Sequence, residues 1–232
     1  MDISPLRLIW VVLVLSAMTL NAQDWPNLNR YSEENKNVGP PAPGERRIVF
    51  MGNSITEGWK HADPELFSRP GFINRGIGGQ TTPQMLLRFR QDVIDLKPEA
   101  VVILAGTNDI AGNTGPMTLE QIRDNIVSMS ELATANGISV ILCSVLPAFD
   151  YTWRPGLNPN LKIPALNEML RSYSKESGLY YLDYFKAMAD DRNGLPTRLA
   201  ADGVHPTKEG YEVMKELLLE AIDNLDSLEE PH

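Results

Sequence analysis

The sequence has 232 residues, one cysteine, 21 Lys+Arg against 30 Asp+Glu, and a formal net charge of −9. A single cysteine excludes an intrachain disulfide, a cysteine-cluster zinc site and an iron–sulfur cluster. An acidic chain with no basic block lacks the phosphate-contacting surface that nucleic-acid binding requires. The 43% hydrophobic and 22% charged content is that of one sizeable globular domain.

Residues 8–15 form an unbroken apolar run preceded by Arg7, and Ser16 and Thr19 then break it. With small Ala22 before a candidate cut, this predicts a secretory signal peptide over residues 1–22, too short to span a bilayer comfortably. Cleavage rather than retention as an anchor is expected, giving a secreted or periplasmic protein without a membrane span. No cysteine lies near Ala22, so a lipid-modified N-terminal cysteine is excluded. Residues 23–46, rich in Asn, Pro, Gly and Glu, read as an irregular arm that Trp25 and Tyr31 pin to the domain. Residues 47–225 read as the domain and 226–232 as a tail.

Within the domain, apolar strands alternate with amphipathic helices. Strands are expected at 47–51, 72–74, 100–105, 138–146 and 179–185, and helices at 84–96, 119–135, 165–174 and 208–225. Residues 148–164, with several prolines, read as a long loop, and 186–206 as irregular. Strands alternating with helices imply right-handed βαβ units and a five-stranded, mostly parallel sheet covered on both faces. Cys143 falls inside an apolar strand as a core residue. In such sheets functional groups gather at the carboxyl ends of strands.

Those ends carry Gly52-Asn53-Ser54, then Gly76-Ile77-Gly78-Gly79, then Gly106-Thr107-Asn108-Asp109, and, across a loop after the last strand, Asp202-Gly203-Val204-His205. Singly, each has an ordinary reading: Ser54 as a helix cap, the glycines as a tight turn, Asn108-Asp109 as a turn pair, Asp202 as a loop acid. Jointly they are the parts of acyl transfer to a hydroxyl. A serine is a weak nucleophile until a base takes its proton. His205 is the candidate base, since His61 falls just past Ser54 beyond a helical turn and reads as a surface loop histidine, while His232 is the last residue. Asp202 would orient the imidazole. The Ser54 and Gly79 N–H groups and the Asn108 side chain would serve as oxyanion donors. With one histidine in these motifs and no paired-ligand spacing, no metal site is expected.

These four blocks resemble those of the SGNH hydrolases, also called the GDSL esterase/lipase family, and the likeness extends over residues 47–218. Gly76-Ile77-Gly78-Gly79-Gln80-Thr81-Thr82 is most similar to the branch that includes platelet-activating-factor acetylhydrolase catalytic subunits. The resemblance implies a flavodoxin-like three-layer α/β/α fold and metal-independent, cofactor-free ester hydrolysis. It assigns Ser54 as nucleophile, His205 as base, Asp202 as orienting acid, and Ser54, Gly79 and Asn108 as the oxyanion hole. One departure is Asn53, where the family name has Asp; Asn can still hydrogen-bond locally. The branch favours short acyl groups, above all acetyl.

No lid-like apolar segment lies near the motifs, so a small ester is expected as substrate, an O-acetyl group on a carbohydrate first. Trp59, Tyr151 and Trp153 are candidates to stack on a sugar face, and Arg154 to contact a polar or acidic group; simple packing is the competing reading for the aromatics. A lysophospholipase or thioesterase, and a non-catalytic glycan-binding module, are the alternatives. Polyanionic substrates are disfavoured unless Arg75, Arg88 and Arg90 cluster.

Overall fold

The computed structural model describes residues 24–228, so the signal-peptide expectation lies outside the described residues. Five strands, β1 (Ile48–Gly52), β2 (Phe72–Gly76), β3 (Ala100–Leu104), β4 (Ser139–Cys143) and β5 (Tyr180–Leu182), form one parallel sheet in the order β2-β1-β3-β4-β5. The helices are α1 (Ser32–Val38), α2 (Ser54–Ala62), α3 (Thr82–Asp92), α4 (Thr107–Ile110), α5 (Leu119–Ala135), α6 (Pro159–Ser177), α7 (Tyr184–Met188) and α8 (Lys208–Leu228). Among the described residues no helix is long and apolar enough to cross a membrane.

Alternation along each strand builds two cores. Val49, Met51, Val101, Ile103, Val140 and Leu142 face α3, α5 and α6. Ile48, Phe50, Val102, Ile141 and Cys143 face the other way, onto α2, α7 and α8. Both sheet faces are therefore covered, which is why the strands read as continuous apolar runs. The result is the three-layer α/β/α arrangement.

Local differences from the sequence reading have physical causes. Helix α6 begins at Pro159, not after Pro164, and carries Pro164 inside it. Proline there leaves the Asn160 carbonyl without its helical donor; Asn193 Nδ2 donates to that oxygen at 3.1 Å instead. The last strand stops at Leu182 because Asp183 caps α7, its side chain accepting from the Lys186 N–H. The arm is not wholly irregular: residues 32–38 form α1, whose Asn35 Nδ2 donates to Asp92 Oδ1 at 2.7 Å. Tyr31 does pin it, buried with its ring under the Arg75 guanidinium, 4.6 Å away, whereas the Trp25 side chain is exposed. Arg75 and Arg88 are fully buried and pair with Glu34 and Asp92, so they form no anion-attracting surface patch.

Candidate active site

The sheet register sets the height of the site. Gly52 lies opposite Gly76 on one side and Leu104 on the other, so the chain leaves β1, β2 and β3 at one level. The strand order changes direction between β1 and β3, the topological switch where such sheets open a crevice. Ser54, Gly79 and Asn108 follow those three ends.

Ser54 is the first residue of α2, where helical N–H groups are unpaired and the dipole favours negative charge. Asn53 is the N-cap: its side chain accepts from the Ile55 N–H at 3.0 Å. That is the local role left to this position where the family name has Asp. Beside it, β2 comes so close to α2 that a Cβ on Gly76 would lie 2.2 Å from the Glu57 nitrogen. Only glycine fits there. Gly79 has φ +76°, a left-handed conformation that orients its N–H at the turn. Among the described residues, neither the Ser54 N–H nor the Gly79 N–H has a protein acceptor. The Asn108 amide donates to the Gln80 carbonyl at 3.0 Å and keeps a second N–H on the same nitrogen.

His205 arrives from the far end of the chain. Its Nε2 lies 2.9 Å from Ser54 Oγ, and its Nδ1 lies 2.7 Å from Asp202 Oδ2. An ionised carboxylate only accepts, so Nδ1 carries the proton and Nε2 offers its lone pair to the serine hydroxyl. The other carboxylate oxygen, Oδ1, accepts from the backbone N–H groups of His205 at 2.7 Å and Val204 at 2.9 Å. Burial pushes the Asp202 carboxyl up, but the hydrogen bonds from the His205 ring and from these N–H groups outweigh it and hold the group below the usual aspartate value. It is a permanent anion beside the imidazole at neutral pH.

Asp109 behaves in the opposite way. Burial pushes its carboxyl up to about 6, against hydrogen bonds from Thr82. Its Oδ1 accepts from the Thr82 N–H at 2.8 Å and the Thr82 hydroxyl at 2.6 Å, while the buried Oδ2 has no partner among the described residues. Asp109 is thus engaged with the first residue of α3. Cys143 is buried and its thiol is raised far above the ordinary value by desolvation, leaving no second nucleophile there. His61 lies exposed in the last turn of α2, not in a loop.

Two of the four expected substrate contacts are corrected. Trp59 is 2% exposed, packed edge-on against Phe50 and stacked on Tyr211 at 5.6 Å. Ile55 and Trp59 share one helix face, and that face is turned into the core. Tyr151 is 0% exposed; its hydroxyl donates to the Thr107 carbonyl at 3.0 Å. Neither ring can meet a sugar. Trp153, 43% exposed, lies over Tyr151 with ring centroids 5.0 Å apart. Arg154 is exposed, and its Nη1 holds the Ala111 and Gly112 carbonyls at 3.1 and 2.9 Å, which makes it a clamp on the turn after α4.

Sequence reasoning passed over Glu57 and Asn113, and gave Gln80 and Arg88 no part in the site. Glu57 Oε2 accepts from the Gly78 N–H at 2.8 Å and Asn113 Nδ2 donates to the Gly79 carbonyl at 3.1 Å. The Gly79 turn is therefore held from both sides. The only available signal was a polar residue beside each motif.

A hydroxyl, an imidazole and a carboxylate stand in hydrogen-bonded series, the arrangement in which a hydroxyl has a base and the base an orienting acid. Residues 50–213 match the GDSL-like lipase/acylhydrolase family, and the chain belongs to that family. It is 46% identical to a GDSL-like lipase of Bacteroides thetaiotaomicron whose crystal structure superposes with a TM-score of 0.84, covering 86% of this chain and 98% of that one. An acetylxylan esterase of Xylanibacter ruminicola is 26% identical over 78% of this chain, and the chain spans only 44% of that protein's length. The human platelet-activating factor acetylhydrolase IB subunit alpha2 is also 26% identical, over 78% of this chain and 77% of that protein.

Proposed function

We propose that the chain is a serine esterase acting on short acyl esters, acetyl first, with acetylated carbohydrate as its substrate class. The observation that carries this reading is the series Ser54 Oγ, His205 Nε2 at 2.9 Å, and His205 Nδ1 to Asp202 Oδ2 at 2.7 Å. Ser54 Oγ attacks the ester carbonyl carbon while its proton passes to Nε2. The carbonyl oxygen becomes an oxyanion that takes the Ser54 and Gly79 N–H groups and the Asn108 amide. Collapse breaks the C–O bond to the alcohol, which leaves with the proton from the imidazolium. Water then attacks the acyl-enzyme, gives a proton to His205, and releases the acid and free Ser54.

Support for the acetyl preference comes from the two acetyl-removing relatives. Support for a sugar comes from Trp153, an exposed ring on a loop following β4, at the same end of the sheet as Ser54. Residues 1–22 would direct the protein out of the cytoplasm, where acetylated glycans are met. A p-nitrophenyl ester series from C2 to C12, with acetate release from acetylated xylo-oligosaccharides, tests the reading. Activity highest at C2–C4 is the expected result; a maximum at C8 or longer would replace it with a lysophospholipase or thioesterase.

A further inference from the structure

Gln80 follows Gly79 and is 2% exposed, yet it is linked to all three strand ends of the site, directly to the turn after β2 and to Asn108 after β3, and through Arg88 to the end of β1. Its Oε1 accepts from Arg88 Nε at 2.6 Å, and its backbone carbonyl accepts from Asn108 Nδ2 at 3.0 Å. Arg88 in turn donates from Nη2 to the Gly52 carbonyl at 3.1 Å, where β1 ends just before Ser54. Asp92 balances that cation at 3.0 Å, with both side chains 0% exposed. A buried ion pair is a poor way to gain stability, because apolar residues of similar volume fill the space at least as well. What it offers is fixed directions for hydrogen bonds.

The N-terminal arm closes the same network from outside. Gln80 Nε2 donates to the Pro26 carbonyl at 2.8 Å, Gln84 Nε2 to Trp25 O at 2.7 Å, and Gln91 Nε2 to Leu28 O at 2.7 Å. Tyr31 adds a bond from its hydroxyl to the Gly76 carbonyl. The arm therefore reaches the oxyanion turn at its first glycine and at the residue after its last.

We propose that Gln80 and Arg88 are positioning residues of the oxyanion hole, and that arm residues 25–31 hold Gln80 in place. This rests on the serine-esterase reading, with Gly79 and Asn108 as oxyanion donors. Gln80 sets where the Asn108 amide points, while Arg88 fixes the turn relative to β1. An oxyanion hole works through donors placed before the reaction, so errors in their placement fall on the transition state more than on substrate binding.

Gln80→Met keeps the length and burial of the side chain but removes both of its hydrogen bonds. Per active site titrated with a fluorophosphonate, its kcat on p-nitrophenyl acetate should fall about tenfold or more, with KM within about twofold. Affinity for a boronic acid, which mimics the tetrahedral state, should fall by a similar factor. Asp24→Ala removes the carboxylate that accepts from the Leu28 and Asn29 N–H groups, which loosens the arm without touching the turn, and should lower kcat about threefold at constant KM. A folded Gln80→Met protein with wild-type kcat and boronate affinity would overturn the proposal, even if its melting temperature were lower. Should that variant fail to fold, wild-type kcat and boronate affinity in Asp24→Ala would overturn it. Wild-type protein inert toward every ester would instead refute the esterase reading.

Discussion

The Tyr211 hydroxyl donates to the Ile55 carbonyl at 2.8 Å, across 156 positions of sequence. Ile55 is the residue after Ser54, and Tyr211 lies in the first turns of the helix that follows His205. This bond, with the Tyr211 ring stacked on Trp59, docks α8 onto α2 and brings the imidazole over the serine. Tyr211→Phe keeps the ring and removes this bond, while the Ile55 carbonyl keeps its helical donor within α2. Chemical denaturation should show a loss of about 0.5–1.5 kcal/mol, and kcat should fall with it as the serine–histidine contact loosens.

Asp202 is held below the ordinary aspartate value, so its sign is that of a depressed acid. Its stabilising contribution is present above the unfolded-state value and is lost as pH falls through the lower folded value. It stays ionised throughout the neutral and mildly acidic range. Asp202→Asn should cost on the order of 10³–10⁴ in kcat, because an amide no longer selects the Nδ1–H tautomer. The wild-type pH–rate profile should show no ionisation assignable to Asp202 above pH 4.

Asp109 has the opposite sign. Its folded-state value of about 6 lies above the unfolded 3.8, so between these the folded protein holds a proton that the unfolded chain has lost. Stability should therefore fall as pH rises through that window, with a slope of up to about 1.4 kcal/mol per pH unit. Asp109→Asn keeps an oxygen for Thr82 and cannot ionise. Urea unfolding between pH 4 and 7 should give a flatter profile for the variant, with equal or greater stability at pH 7.

Trp59 and Trp153 should separate cleanly. Trp59→Ala empties a core site and should cost about 3–5 kcal/mol. Trp153→Ala, at an exposed ring, should change stability by about 0.5 kcal/mol or less. Under the carbohydrate reading it should raise KM for acetylated xylo-oligosaccharide while leaving p-nitrophenyl acetate turnover intact. Isothermal binding and steady-state kinetics on both substrates check the pair.

Much of the fold was legible because strand and helix periods differ: helix α5 has the boundaries its apolar spacing and Thr118 cap predict. The four strand-end blocks were legible because parallel topology places strand ends together. Helix α6 was misjudged because the donor that replaces the one lost at Pro164 belongs to Asn193, far along the chain. The roles of Trp59 and Tyr151 were misread because an aromatic near a motif says nothing about which way it points. The Gln80–Arg88 link was invisible for a related reason: Arg88 in a helix reads as a surface charge until its partners are known.

Turnover of p-nitrophenyl acetate by Ser54→Ala, beside wild type with matched folding by circular dichroism, decides whether Ser54 is the nucleophile. Turnover should fall by a factor on the order of 10³ or more, since Ser54 is the nucleophile that would form the acyl-enzyme. A Ser54→Ala protein that retained most of the wild-type rate would contradict it.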